Sequence, residues 1–549
     1  MNRLIIGTDV GTTASKVLIV DEQGSILSES YREYPLIFPA PRHVEQDIRH
    51  IRDVYFDAIR EAVQRLTPQE RERIVALSLS TQRSTMAPLD ASGQPLRNAI
   101  TWMDGRSGAE CEEIRRDLGR EAVLRATGLS IATVWSYAFV CWLKKHERDL
   151  YDRTACFALV NTYLLHEMGV DEFVTDYSSA CESLMFDPMG KRWSPLMLDY
   201  LRLDESRLPR PVPSGTAVGR MRESLAASLG LPHGIALVTG GGDQQCAALG
   251  SGVLEEGDIS IGMGTAANIL AASSRCRFEK GCNLITNLAV VPERWFMEGS
   301  LIVCGPILTW MRDLLYGKEA ETMSSSDLYA LLNREAGQDS TPGAHGLTLV
   351  PHLQGAGCPY WDDDATGVLD GLTLSTTRAD LIRCVMEGMA MEVNKNLRLL
   401  LENGIRPQRL VLTGGATRLV PDSGRRLRRP GRNPRPSRCG GTGQRHPRRV
   451  GLRPVRHARG GRSPHRPHRA RIHAPSAAPC ALQPADAVSR RPVSGRRAGA
   501  RGKERLTAPD TPRGARARSK KRRSRGNIRT PRLRRFSFGR SAYACTSHS

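Results

Sequence analysis

Residues 4–31 alternate apolar and polar side chains in short runs, L-I-I-G-T-D-V, S-K-V-L-I-V-D and the stretch after D-E-Q-G. A period of two broken by turn residues predicts a three-stranded meander whose second turn is 21–24. The period then changes. Residues 46–66 place apolar side chains every three or four positions, the spacing of an amphipathic helix. I-V-A-L-S-L-S (74–80) reads as a buried strand and 85–96 as strand–turn–strand, after which helical spacing with polar breaks runs to about 170. F-V-T-D-Y-S-S-A-C-E-S-L-M-F-D (173–187) returns to β-type composition around a Thr-Asp turn.

At 235–252 a buried strand runs into a glycine cluster and then a helix-forming stretch. Immediately afterwards D-I-S-I-G-M-G-T-A-A-N-I-L-A-A-S (258–273) repeats the opening pattern, with Gly264, Thr265 and Ala266 standing where Gly11, Thr12 and Thr13 stood. A helical stretch at 376–404 leads to a third strand that ends in paired glycines, L-V-L-T-G-G-A-T (410–417). A duplicated strand–GT–strand hairpin among alternating strands and helices predicts an α/β fold in two halves. Ligands in such folds gather at the carboxyl ends of strands, which points to a nucleotide cleft.

The chain is 549 residues long, enough for more than one domain, and carries a formal charge of +22. That charge is unevenly placed. From residue 421 onward there are 34 Arg and 3 Lys against 3 Asp and 1 Glu, a net of +33, which leaves the first 420 residues at −11. The first part is therefore a mildly acidic globular protein, which argues against nucleic acid as its partner. The 13 cysteines include no C-x-x-C pair, and no His cluster completes a zinc site near Cys276 and Cys282. Free thiols in a reducing compartment are expected. The opening apolar run is interrupted by Asp9, and the longest apolar stretch, around 299–311, contains Pro306. Neither spans a bilayer, so no membrane and a cytoplasmic location are expected.

Asp9 at a strand end, followed by a glycine and two threonines, is more than a turn requires. Turn N–H groups hold anions, and a strand-end carboxylate suits a metal between itself and the anion. As a simple alternative, Asp9 is a turn aspartate.

Several motifs in order make residues 4 to about 418 resemble the FGGY family of carbohydrate kinases, which includes glycerol kinase and xylulokinase. They are D-V-G-T-T-x-x-K (9–16), S-T-Q-R-S-T (80–85), N-A-I-T-W-M-D-G-R (98–106), G-G-G-D-Q-Q (240–245), G-M-G-T (262–265), E-G-S-L-x-x-C-G-P (298–306), P-Y-W-D (359–362) and L-T-G-G-A (412–416). The resemblance implies two actin-like (ribonuclease-H-like) domains, 1–246 for the sugar and 247–418 for the nucleotide, followed by a basic tail at 419–549. It implies ATP as cosubstrate, Mg²⁺ as cofactor and a small sugar or polyol as acceptor, and leaves a homodimer open.

Residue by residue, the resemblance makes Asp243 the base, preceded by three glycines and followed by a helix whose N-terminus favours an ionised carboxylate. The alternative is an N-cap aspartate. Asp9 would hold Mg²⁺. Gly11, Thr12 and Thr13 would donate to the transferred phosphoryl group, with Lys16 either adding charge or standing as a solvated strand residue. Gly264 and Thr265 would hold the β-phosphate side, Gly305 would line the nucleotide, and Gly414 and Gly415 would pack against ADP. At the acceptor end stand Gln82, Arg83, Trp102, Asp104 and Gln244, with Asp104 alternatively one half of a surface Asp-Arg pair. Ser84 departs from the Q-R-E-T of glycerol kinases, and Q-R-S departs from the Gln-Met-His stretch of xylulokinases. A pentulose such as xylulose is favoured, with a glycerol-like polyol as the alternative.

Two other readings compete. An actin- or chaperone-type ATPase would share the cleft but has no use for the acceptor motifs. A nucleic-acid-binding protein would have to act through the tail, which offers only Phe536, Phe538 and Tyr543 for stacking. The tail begins abruptly: after L-T-G-G-A-T-R the chain becomes rich in Arg, Pro, Gly, Ser and Ala, and hydrophobic periodicity vanishes. GC-rich codons read out of frame give this palette, so a frameshift near codon 418 is expected, and with it an inactive or weakly active product.

Overall fold

The computed structural model describes residues 2–279, 281 and 283–414. Gly415 and the tail lie outside the described residues.

The meander forms as expected: β1 (Leu4–Val10), β2 (Ala14–Asp21) and β3 (Ile26–Glu33) are consecutive antiparallel neighbours. The strands alternate because one face is covered by α1 (Ile48–Gln64), which starts where Asp47 accepts from the N–H groups of Arg49 and His50. This helix buries Ile48, Ile51, Tyr55, Ile59 and Val63, a stripe at helical spacing. Ser28 and Ser30 donate to the carbonyls of Ala62 and Ala58, fixing the helix on the sheet. On its other edge β1 pairs in parallel with β4 (Ile74–Thr81). Beyond β4 come β6 (Ala236–Gly242), parallel, and β5 (Ala217–Arg220), antiparallel, giving the order β5-β6-β4-β1-β2-β3.

The second sheet repeats this plan. β7 (Asp258–Met263) and β8 (Ala267–Ser273) form the second GT hairpin, and β11 (Arg409–Thr413) runs parallel to β7 as β4 does to β1. β9 (Ile285–Leu288) and β10 (Trp295–Leu301) extend the other edge, in the order β9-β10-β8-β7-β11. The duplication in the sequence is thus a duplication of sheet topology. The long helix α5 (Arg378–Glu402) crosses this sheet after a capping box between Thr377 and Asp380.

Three expectations need correction. The stretch 85–96 forms its first strand, Met86–Leu89, and its turn at Asp90, but the return is a single antiparallel bridge of Pro95 with Leu89, since proline has no N–H to extend the ladder. The helical run to 170 is broken by a strand, Cys156–Leu159, which pairs with Met86–Leu89. Four apolar residues have no readable period. At 173–187 the Thr-Asp pair is not a hairpin turn. Val174–Asp176 is a strand, and Asp176 caps the helix α2 (Tyr177–Cys181), accepting from the N–H of Ser179 at 2.9 Å.

Candidate active site

The three glycines before Asp243 lie within β6, where they make a bulge rather than a turn. Thr239 faces Leu79, but Ser80 faces Gly241, so Gly240 is an extra residue in the ladder. A Cβ on Gly240 would fall 2.1 Å from the Leu79 carbonyl, so only glycine fits. The bulge delivers Asp243 to the first position of α3 (Asp243–Gly250); the N-cap is Gly242. The carboxylate accepts from the N–H of Gln244 at 2.7 Å and remains partly open to solvent.

Asp9, near the end of β1, pairs in register with Ser80 of β4, whose hydroxyl donates to its Oδ1 at 3.0 Å. It reaches solvent, yet the protein packed around it pushes its carboxyl up to about 6, and the nearby Asp243 adds to that rise. Asp243 is itself raised, by burial against the pull of Arg83. Two carboxylates thus converge from the ends of β1 and β6, the two strands that flank β4. Lys16, opposite Asp9 in β2, forms an ion pair with Glu29 at 3.9 Å.

Around them the first GT turn is built into a network. Tyr34 donates its hydroxyl to the Gly11 carbonyl, Gln46 donates to the Thr12 carbonyl at 2.6 Å, and Trp102 donates its indole N–H to the Thr12 hydroxyl at 2.9 Å. Gln82, buried, donates to Gln46 at 2.8 Å and accepts from Thr85. Thr13 stays exposed at the tip. The second turn is tied to α4 (Gly305–Leu315): the N–H of Cys304 bonds the Thr265 carbonyl, and that of Gly305 bonds the Gly264 carbonyl at 2.9 Å. Gly414, at φ +90°, closes on the same place, since a Cβ there would sit 2.3 Å from the Met263 carbonyl. Gly264, Thr265, Gly305 and Gly414 are therefore together, while Gln244 reaches toward Gly262 from the first half.

Three expected acceptor residues are otherwise engaged, the first being Gln82 in the network just described. Asp104 is buried, and its oxygens accept from the N–H groups of Val44 and Arg106 and from the Arg106 guanidinium, so it holds the Trp102 loop rather than facing outward. The Asp-Arg pair is a buried one. The Arg83 guanidinium, expected to grip a diol, forms ion pairs with Glu182 at 2.9 Å, Glu298 at 2.8 Å and Asp243 at 3.4 Å. Burial alone would pull its pKa down; the carboxylates outweigh that and keep it charged. Glu182 and Glu298, with Gln46 and Asn287, escape a reading of the sequence alone. Each glutamate is the lone charge in an apolar or small-residue run, Y-S-S-A-C-E-S-L-M-F and W-F-M-E-G-S-L, and a charge in such a run is a signal of burial with a partner.

The models of the N-terminal and C-terminal domains of the FGGY carbohydrate kinases match residues 4–250 and 259–420. The chain belongs to the FGGY family of carbohydrate kinases. It is 28% identical to a xylulose kinase from Staphylococcus xylosus over 75% of this chain and 83% of that one. It is 33% identical to a glycerol kinase from Acidovorax ebreus over 71% and 76% of the two chains. A crystal structure of xylulose kinase from Rhodospirillum rubrum superposes with a TM-score of 0.68 at 26% identity, covering 76% of this chain and 83% of that one. The two-domain α/β architecture is thus that of the sugar kinases, and the activity class is phosphotransfer to a carbohydrate. The family implies ATP as the cosubstrate. No helix among the described residues is long and apolar enough to cross a membrane.

Proposed function

We propose that this FGGY kinase transfers the γ-phosphoryl group of ATP to a hydroxyl of a small polyhydroxylated acceptor, a five-carbon ketose of the xylulose type being favoured. The observation that carries this reading is the convergence of Asp9 and Asp243 beside the Gly11–Thr13 turn. The sugar domain is taken as 1–246 and the nucleotide domain as 247–418.

Asp243 accepts the acceptor hydroxyl's proton as its oxygen attacks phosphorus; a carboxyl that burial raises above its ordinary range is a stronger base for that task. The N–H groups of Thr12 and Thr13 and the Thr13 hydroxyl receive the charge of the transferring group, the Gly11 N–H being held by the Ala14 carbonyl; the N–H and hydroxyl of Thr265, in the turn that Gly264 and Gly305 shape, hold the phosphates that leave. Trp102, fixed by Thr12 and by the Asp104 loop, gives the acceptor an apolar wall.

The residues fit Mg²⁺. Asp9 offers a hard, solvent-open oxygen crowded by a second carboxylate, and no group of three or more His, Cys, Asp or Glu side chains forms a cage among the described residues. Magnesium characteristically takes one or two carboxylates and completes its shell with water and phosphate. When bound, it neutralises charge on the phosphate oxygens.

A glycerol-like acceptor is the second reading, favoured by the 33% identity to a glycerol kinase. An ADP-release assay over xylulose, ribulose, glycerol and pentitols tests the proposal. Acceptor-dependent turnover supports it. Nucleotide hydrolysis indifferent to every acceptor would point to an ATPase instead.

A further inference from the structure

The cluster behind Asp243 is short of positive charge and of donors. Arg83 is the only arginine or lysine ion-paired to Glu182, Glu298 and Asp243 among the described residues, so one cation stands against three carboxylates. Both hydrogens of its Nη1 are used, one toward Glu182 and one toward Glu298, and Nη2 bonds the other Glu298 oxygen at 2.8 Å. Asn287 donates to both glutamates and Gln245 to Glu182, yet Glu182 Oε2, Gln245 Oε1 and Asn287 Oδ1 are buried without any partner. Every orphan is an acceptor. Nε faces Asp243 at 3.4 Å, so one Nη2 hydrogen is all the guanidinium has left to offer a molecule entering beside Arg83 and Asp243, in surroundings made of acceptors.

Resting on the kinase reading of this site, we infer that the Glu182–Arg83–Glu298 bridge is its specificity element. It selects uncharged polyhydroxy acceptors, whose hydroxyls donate, and rejects sugar acids, whose carboxylate needs a cation that is already bound. Glu182 and Glu298 act through Arg83 and are positioning residues. Glu298 and Asn287 come from β10 and β9 of the second sheet, so the nucleotide-side half supplies part of the acceptor selectivity. Replacing one carboxylate by an amide takes a negative charge from beside Arg83, and a cation less fully neutralised in a partly buried site seeks an anion.

The test compares xylitol with xylonate, which share a carbon chain and differ at one end. Their binding to the full chain is measured by calorimetry in the presence of Mg²⁺ and a non-hydrolysable ATP analogue. The expected result is xylitol binding roughly 100-fold tighter than xylonate, the ratio set by one uncompensated like charge at close range in a partly screened site. Glu298→Gln and Glu182→Gln, two independent shape-conserving variants checked for an unchanged melting profile, should each shrink that ratio about tenfold. Xylonate binding as tightly as xylitol overturns the inference, as does a ratio unmoved in both variants. Analogue binding with no uptake of either compound overturns the kinase reading together with it.

Discussion

Trp102 donates its indole N–H to the hydroxyl of Thr12 at 2.9 Å, which makes the proposed acceptor wall and the proposed phosphoryl turn one hydrogen-bonded unit. Trp102→Phe keeps an aromatic wall but removes the donor. Turnover should fall about 3- to 10-fold, the worth of one net hydrogen bond. Thr12→Val should do the same, and the double variant should be no worse than either single one. Strictly additive losses in that cycle would show that the two residues act separately.

Asp243→Asn keeps the shape at the start of α3 and removes the proposed proton acceptor. The expected loss in turnover is about 10²- to 10⁴-fold, with ATP affinity nearly unchanged. A variant retaining most of its acceptor-dependent rate would transfer the role of base elsewhere.

The Asp9 carboxyl, raised to about 6 by burial and by Asp243, gives the pH dependence a sign. A raised folded pKa means the protonated form is the comfortable one. Stability from this group is fully present below the unfolded value of 3.8 and is lost as pH rises through about 6. Since Asp9 reaches solvent, that effect on folding is small. Ligand binding reads it better: Mg²⁺ with a nucleotide requires the ionised form, so binding near pH 6 should release a proton and weaken as pH falls toward 5. Calorimetry in buffers of different ionisation enthalpy measures this, and Asp9→Asn should abolish the release.

Gly305→Ala should weaken nucleotide binding about tenfold while acceptor affinity holds, because the new methyl would lie 2.8 Å from the Gly264 carbonyl and lever α4 off the second GT turn. Overpacking of this sort costs about 1–3 kcal/mol. Equal losses for both ligands would mean that the change spreads through the fold.

The break in composition after Arg418 makes a prediction about the gene. One of the other two reading frames beyond codon 418 should encode an apolar, helix-patterned continuation with a Glu-Ala stretch followed by glycine, and the chain as written should be poorly soluble and weakly active. Sequencing the locus and translating all frames decides it. A tail confirmed in frame would have to be taken as a genuine basic extension.

The GT hairpins and the strand-end aspartates are legible because their chemistry is local: alternation of period two, a glycine turn and a carboxylate beside it. The hidden features depend on long-range pairing. Nothing near Arg83 in the chain announces that its partners lie 99 and 215 residues away, nor that Asp104 turns inward to Val44. The strand Cys156–Leu159 is hidden because four apolar residues fit helix and strand equally until Met86–Leu89 is set beside them. The run of three glycines reads as a place of close approach, but its function as a bulge emerges only from the register against Leu79 and Ser80.

That bulge has the character of an aiming device. In an extended strand each residue faces opposite to the next, so one surplus residue left in the ladder would reverse the parity of every residue after it. Here the surplus is absorbed on the spot, since Gly241 and Gly242 still face Ser80 and Thr81; a chain lacking Gly240 would keep that pairing but lose the bend and added twist with which the strand end aims Asp243. The aim of that carboxylate is therefore set by a residue with no side chain, and the lineage of such a chain could re-aim it through a three-nucleotide deletion that alters no functional side chain at all.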